Sequence, residues 1–205
     1  MQKKWLLWAQ KIQAEAHNGL HYTQDQYDKI RYRELMELAA EIIAEHTDID
    51  KQAVFGIYAA EKGHRTPKVD VRGAVFRDEK ILLVRERSDG CWTMPGGWAD
   101  VLDAPSEAVE REIREESGFL AKAVKLAALH DRNRHGHPPH PFHTYKLFFI
   151  CDLLGGEATT SNETDAVDFF AENDLPGLSH SRVVPEQIHR MFVHCRNMNL
   201  PTDFD

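Results

Sequence analysis

Three glutamates, Glu112, Glu115 and Glu116, stand in the segment Ser106 to Gly118, between Pro105, which suits a first helical turn, and Gly118, which suits a left-handed helix end. At 3.6 residues per turn the three fall within an arc of roughly 100°. That arc surrounds Ala108 and is bordered by Val109 and Ile113, the residues that should face a core. Carboxylates there repel one another and lose hydration, which is costly unless a cation sits among them. A hard divalent ion with oxygen ligands, Mg2+ or Mn2+, fits. Glu107, Glu110, Arg111 and Arg114 fall on another arc, where neighbours three or four apart can pair in water. A purely solvated acidic helix is the alternative to a metal site.

Gly97, Asp103, Arg111, Glu112, Ile113, Glu115, Glu116, Gly118 and Phe119 stand in register with a long pattern. It runs glycine, five residues, an acid, seven residues, then Arg-Glu-apolar-any-Glu-Glu-any-Gly-apolar. In this the chain resembles the Nudix hydrolases. The family usually has Glu where this chain has Asp103, one methylene shorter, which leaves open whether Asp103 pairs with Arg111 or serves the helix start. The resemblance implies an α/β/α sandwich with a mixed sheet and hydrolysis of a diphosphate in a nucleoside diphosphate linked to another group. It implies Glu112 and Glu116 as main metal ligands, with Glu115 and the Gly97 carbonyl as further ligands. Arg111 would orient a glutamate through a charge-assisted bond. In the family a glutamate before a Phe-Phe strand often completes the site, which points to Glu163, with Asp165 second, ahead of Phe169-Phe170. The general base stays open among Glu163, Glu112 and Glu116.

Carboxylates gathered on divalent cations suit phosphoryl chemistry, because the metals neutralise the diphosphate and lower the pKa of a bound water. For substrate, Trp92, Trp98 and Phe142 could stack on a base, and Arg72, Arg85 or Lys146 could hold a phosphate; each could equally be packing or a surface pair. CDP-choline and ADP-ribose are the substrates the resemblance favours. A sensor that binds nucleotide without turnover is the alternative class, and trimming of RNA 3' ends a secondary activity at most.

Around these residues the pattern predicts an α/β domain over 67–205 and a helical extension over 1–66. In the extension, Trp5, Trp8, Ala9, Ile12 and Ala16 follow helical spacing until His17-Asn18-Gly19. Thr23 to Gln26 has capping-box spacing and opens a second helix carrying Tyr27 and Ile30. A third runs from Tyr32 to Glu45 with Leu35, Leu38, Ala39, Ile42 and Ile43 on one side. The extension ends near Lys62 to Pro67. So few residues bury little core alone, so it is expected to pack on the main domain or on a second copy, as in a homodimer, or to act as a substrate lid. A similar extension occurs in the CDP-choline and ADP-ribose pyrophosphatase subgroup.

Strands are expected at Val69–Phe76 and Ile81–Val84 around an Asp78-Glu79 turn, at Cys91–Met94, Ala121–Leu129, Thr144–Leu153 and Ala166–Phe170, with a last helix over Pro185–Cys195. The segment His130 to His143 holds five of the twelve histidines. Its three prolines stiffen it, and no helical i, i+4 His pair forms, so a polar loop over the site or at a dimer contact is expected rather than a zinc centre.

Over 205 residues, Asp and Glu number 33 against 25 Lys and Arg, a net charge of −8, which disfavours strong nucleic-acid binding. Three widely spaced cysteines predict no disulfide framework and a reducing cytoplasm. The apolar run Trp5 to Ala9 is too short for a signal peptide or membrane span.

Overall fold

The computed structural model describes residues 3–60, 63–100 and 102–205; Lys62, at the expected end of the extension, lies outside them. The chain divides into two compact units, one of residues 1–67 with 139–143 and one of residues 68–138 with 144–205.

The first unit is built of α1 (Lys4–Tyr22), α2 (Gln26–Glu45) and α3 (Lys51–Ala60). Gly19 does not end α1. A Cβ there would lie 2.3 Å from the Tyr32 ring, so the glycine lets α1 and α2 approach closely. The helix runs on to a C-cap at Thr23. The second and third expected helices are one, because no breaker separates Ile30 from Tyr32. Asp25, rather than Thr23, caps it, its Oδ1 accepting from the Asp28 N–H at 2.9 Å. The core takes Leu6, Ala9, Ala16, Met36, Ala39, Ala40, Ile43, Val54 and Tyr58. Leu35 and Leu38, grouped by the sequence on one side with Ala39, Ile42 and Ile43, are exposed while Ala39 and Ile43 are buried; Trp8 is exposed too, because small alanines occupy the close helix seam. The sequence reading did not anticipate α3, whose Val54 and Tyr58 supply a buried i, i+4 pair.

In the second unit the strands are β1 (Lys68–Arg77), β2 (Lys80–Glu86), β3 (Trp92–Thr93), β4 (Phe119–Asp131), β5 (Thr144–Gly156), β6 (Thr164–Ala171) and β7 (Asp203–Phe204). They run in the order β3-β2-β1-β5-β4-β7, with β6 on β2. The β1–β5 pair is parallel and the β4–β5 pair antiparallel, so the sheet is mixed. Two helices complete the unit, α4 (Pro105–Ser117) and α5 (Pro185–Arg196).

Alternation along the strands sorts side chains into two cores. Val71, Val75, Leu82 and Phe149 pack with Ala108, Val109 and Ile113 of α4. Ala74, Ile81, Leu83 and Phe148 pack with Ile188, Met191 and Phe192 of α5. The α/β sandwich expected from the sequence is therefore present. Close seating of α4 requires Gly73, where a Cβ would meet Ile113 Cδ1 at 2.5 Å.

The β1–β2 turn places Asp78 at φ 49° and Glu79 at φ 59°, the left-handed region at both central positions. A side chain there costs about 1–2 kcal/mol, which glycine does not incur. Glu79→Gly is expected to raise the thermal midpoint by about 2–4 °C per kcal/mol recovered. A calorimetric scan showing no rise would remove the strain assigned to this turn.

Candidate active site

The glycine loop is held as an irregular strand along the edge of β1 that β2, paired only at Phe76 and Arg77, leaves uncovered. Val71 N–H donates to the Gly97 carbonyl at 2.8 Å, Gly73 N–H to the Pro95 carbonyl at 2.9 Å, and Ala99 N–H to the Val69 carbonyl at 3.0 Å. Gly96 sits at φ 143°, and a Cβ on it would lie 2.0 Å from the Val71 carbonyl oxygen. Only glycine passes so close to a strand backbone. The loop's next residues lead into α4, where Pro105 occupies the first turn and the Glu107 carboxylate accepts from the Ala104 N–H at 3.2 Å. Gly118 ends the helix in the left-handed conformation.

This arrangement carries Glu112 and Glu116 inward. Glu116 is buried, and its Oε2 accepts from the Gly96 N–H at 2.8 Å. Burial raises its pKa to about 8, with Arg72 and the Gly96 N–H pulling the other way and Glu112 and Glu86 adding repulsion. Glu112 lies against Gly97, where an added Cβ would stand 3.2 Å from its carboxyl carbon. Burial raises the Glu112 pKa as well, partly offset by Arg111. Glu115 turns outward, its side chain 52% exposed.

Arg111 binds most of the remaining acids. It meets Glu112 at 2.9 Å, Glu115 at 3.2 Å, and Asp103 and Asp100 at 3.3 Å each. The shorter Asp103 side chain thus does reach Arg111, across one surface of the loop.

A carboxylate the sequence reading passed over joins them. Glu86, at the end of β2, is buried, paired with Arg182 at 2.9 Å, and has its pKa raised first by burial. Strand alternation was the available signal, since Leu82, Val84 and Glu86 share one face and Leu82 lies in the α4 core. Glu163 is exposed just ahead of β6, where its carbonyl accepts from the Arg87 N–H at 2.8 Å. Its charge adds to the repulsion on Glu86. The next residue, Thr164, is buried and donates its hydroxyl to the Glu116 carbonyl at 2.7 Å, tying β6 to α4.

Of the residues considered for substrate, Arg72 and Lys146 are buried on the face of the sheet away from α4, both on Asp70. Arg72 holds it at 3.0 and 2.8 Å, and Lys146 at 2.5 Å. Asp70 was also missed, although Asp70, Arg72 and Lys146 are charges set at like positions in apolar strands, with Asp70 directly opposite Lys146. Burial alone would raise the Asp70 pKa, yet the two cations bring it to about 2. Lys146 falls to about 8, first through burial. Arg85 pairs with Asp165 at 2.6 Å and lies over the Trp92 ring at 5.9 Å, while Trp92 packs edge-on against Phe170. Trp98 is 45% exposed.

The donor chemistry suits a hard cation, since three glutamates, Glu86, Glu112 and Glu116, supply oxygen donors whose ionisation is opposed first by burial and only partly offset by neighbouring arginines. Among the described residues no three His, Cys, Asp or Glu side chains already converge as a ligand set. Arg111 holds a Glu112 oxygen, and the Gly97 carbonyl commits one lone pair to Val71.

In the histidine-rich segment, His130 stacks on His135 with centroids 3.7 Å apart, and His135 Nε2 meets Asp205 at 3.0 Å. His137 Nδ1 bonds to the His180 carbonyl at 2.8 Å.

Comparison with known proteins places this arrangement. A model described as the NUDIX domain matches residues 66–190, and one described as a UDP-X-like, N-terminal oligomerisation domain matches residues 3–58. The chain belongs to the Nudix family and is a Nudix pyrophosphohydrolase. A Bacillus subtilis (strain 168) protein named "Putative ADP-ribose pyrophosphatase YjhB" is 44% identical over 205 residues, all of this chain and 99% of the relative. The crystal structure of a UDP-X diphosphatase is 32% identical, with a TM-score of 0.64 over the whole of both chains. That of an ADP-ribose pyrophosphatase from Streptococcus suis 89-1591 is 38% identical, with a TM-score of 0.64 over 68% of this chain and 100% of its own. No helix among the described residues is long and apolar enough to cross a membrane.

The stacked histidines give this unit a pH dependence. Burial, followed by repulsion from His135, lowers His130 to about 4 against the attraction of Asp205 and Asp203. Because the folded pKa lies below the unfolded value of 6.5, the folded state keeps full stability above pH 6.5 and loses it as pH falls toward 4. The thermal midpoint is expected to drop over that window, and His130→Gln to drop less; parallel profiles for the two proteins would remove the assignment.

Proposed function

We propose that the chain is a divalent-cation-dependent hydrolase of nucleoside diphosphate conjugates, of the ADP-ribose and UDP-sugar type, with CDP-choline a further candidate. One observation carries the metal dependence. Glu116 is buried against the Gly96 N–H with its pKa raised to about 8, and Glu112 and Glu86 crowd it with the same sign. Such a cluster is electrostatically incomplete at neutral pH. Mg2+ or Mn2+ held there supplies positive charge that neutralises the diphosphate oxygens and activates water for attack.

Glu112 and Glu116 are the main ligands in this reading, with Glu115 and the Gly97 carbonyl as further oxygen donors once Arg111 yields part of its hold on the carboxylates. Arg111 otherwise fixes Glu112 through its 2.9 Å bond. The reaction joins a water oxygen to one phosphorus while the bond from that phosphorus to the bridging oxygen breaks, giving two monophosphates. The water proton passes to a carboxylate, Glu163, Glu112 or Glu116. Glu163 suits the role because it is exposed beside Thr164, which is itself bonded to Glu116. Arg72, Arg85, Trp92 and Lys146 are candidates for substrate contact. Arg72 lies nearest in effect, since its charge acts on Glu112 and Glu116 alike.

The substrate class rests on the relatives named for ADP-ribose and UDP-X hydrolysis. The helical unit, matched by a model described as an oligomerisation domain, supports a homodimer.

Phosphate-monoester release is expected from ADP-ribose or a UDP-sugar with Mg2+ or Mn2+ and to vanish in EDTA. Glu116→Gln keeps a side-chain oxygen for the Gly96 N–H, so the fold is expected to hold while turnover falls on the order of 10²–10³-fold. Unchanged turnover in this variant, with circular dichroism unaltered, would remove Glu116 from the site.

A further inference from the structure

The helical unit contains a cleft that shares no residue with the carboxylate site. It has a volume of about 830 Å³ and is formed by one face from each helix. His17 and His21 come from α1, Lys29, Arg33 and Met36 from α2, and Phe55 and Tyr58 from α3. The spacings are three and four residues throughout, so each set projects from its helix in one direction. A cleft of this size is within the range that encloses a small ligand.

Its chemistry is uneven in a way that packing alone does not require. Met36, Phe55 and Tyr58 offer apolar and aromatic surface, while Lys29, Arg33 and the two histidines line the same space. No acidic side chain among the described residues lines it, in a chain whose net charge is −8. Among the described residues neither Lys29 nor Arg33 has a carboxylate within ion-pair distance, although their neighbour Arg31 pairs with Asp28 at 2.7 Å. Two polar atoms at this cleft are buried without a hydrogen-bond partner, Tyr58 Oη and His17 Nδ1. Orphaned buried polar groups are uncommon in folded proteins, because each gives up hydrogen bonds it would make in water. Burial pushes the Tyr58 phenol up to about 12, so it stays a donor at neutral pH. Burial and then Arg65 lower the pKa of His17, against a backbone hydrogen bond at Gly63 that raises it.

We propose that this cleft binds a small ligand with an aromatic body and a phosphate group, in chemical class a nucleoside monophosphate. Lys29 and Arg33 receive the phosphate, Phe55 and Met36 lie against the ring system, and Tyr58 Oη and His17 Nδ1 bond to its polar edge. The choice of a mononucleotide rests on the diphosphohydrolase reading, whose products include one; the anionic and aromatic requirements rest on the cleft alone.

The test is isothermal titration of AMP, UMP and inorganic phosphate into the full chain, as wild type, Glu116→Gln, Tyr58→Phe and the double variant Lys29→Glu with Arg33→Glu. The Kd for AMP or UMP is expected to weaken at least about ten-fold in the double variant and measurably in Tyr58→Phe, while Glu116→Gln retains it. Turnover of ADP-ribose by the double variant, assayed without added nucleotide, is expected to stay within about two-fold of wild type. Nucleotide affinity unaffected by the double charge reversal would overturn the proposal. So would a double variant that keeps nucleotide affinity but changes its sedimenting mass, because a second copy of the chain would then be the occupant. If no conjugate is hydrolysed yet charge reversal still abolishes AMP binding, the diphosphohydrolase reading fails and the cleft stands.

Discussion

The hydrogen bond from the Gly96 N–H to the buried Glu116 carboxylate is the contact on which the rest of the α/β unit converges. A carboxylate removed from water needs compensation, and here the protein supplies only part of it. One neutral donor and the charge of Arg72 act on Glu116, while Glu112 and Glu86 work against both. The interior is built to hold a group whose ionised form it does not by itself stabilise. Carboxylates whose pKa values burial raises in this way gather at functional sites more often than in cores packed for stability alone.

Several features that look independent serve that one contact. Gly73 lets α4 press onto β1, and Gly96 lets the loop pass the β1 backbone, so the distance from helix to loop is set by two missing Cβ atoms. The same strand β1 bonds to β5 on one edge and to the glycine loop on the other. It therefore joins the sheet to the site with no intervening flexible segment. Thr164 fixes the start of β6 to the carbonyl of Glu116, which brings Glu163 to the same end of α4. Behind the sheet, the Asp70 ion-pair cluster holds Arg72 in place, its guanidinium also donating to the Met94 carbonyl at 3.2 Å.

The helical unit obeys a different constraint. Its seam is lined with alanines and one glycine, so backbone approach, more than side-chain volume, sets its geometry. That choice leaves larger apolar side chains such as Trp8, Tyr27 and Ile30 on the outside, which suits a unit matched by a model described as an oligomerisation domain. It also explains why the usual inference from apolar periodicity grouped Leu35 and Leu38 with the buried Ala39 and Ile43: small residues carry less weight in such a pattern than the larger ones beside them.

By itself the sequence determined the helix of α4 with its proline start and glycine end, the alternation that makes the strands of the α/β unit, and the register of acids with Arg111. Those are local properties, written in residues a few positions apart. Tertiary structure alone decided which acids meet. Glu86 arrives from β2 and Glu163 from the approach to β6, while Glu115, a neighbour of Glu116 in sequence, turns outward onto Arg111. A helical arc can say that three glutamates share a face, but how deep each lies depends on what packs beside that face. The seating of α4 on β1 sinks Glu116 and leaves Glu115 at the rim. Gly19 shows the same limit from the other direction, because a glycine that ends a helix and one that admits a neighbouring ring look alike until the neighbour, Tyr32, is in place.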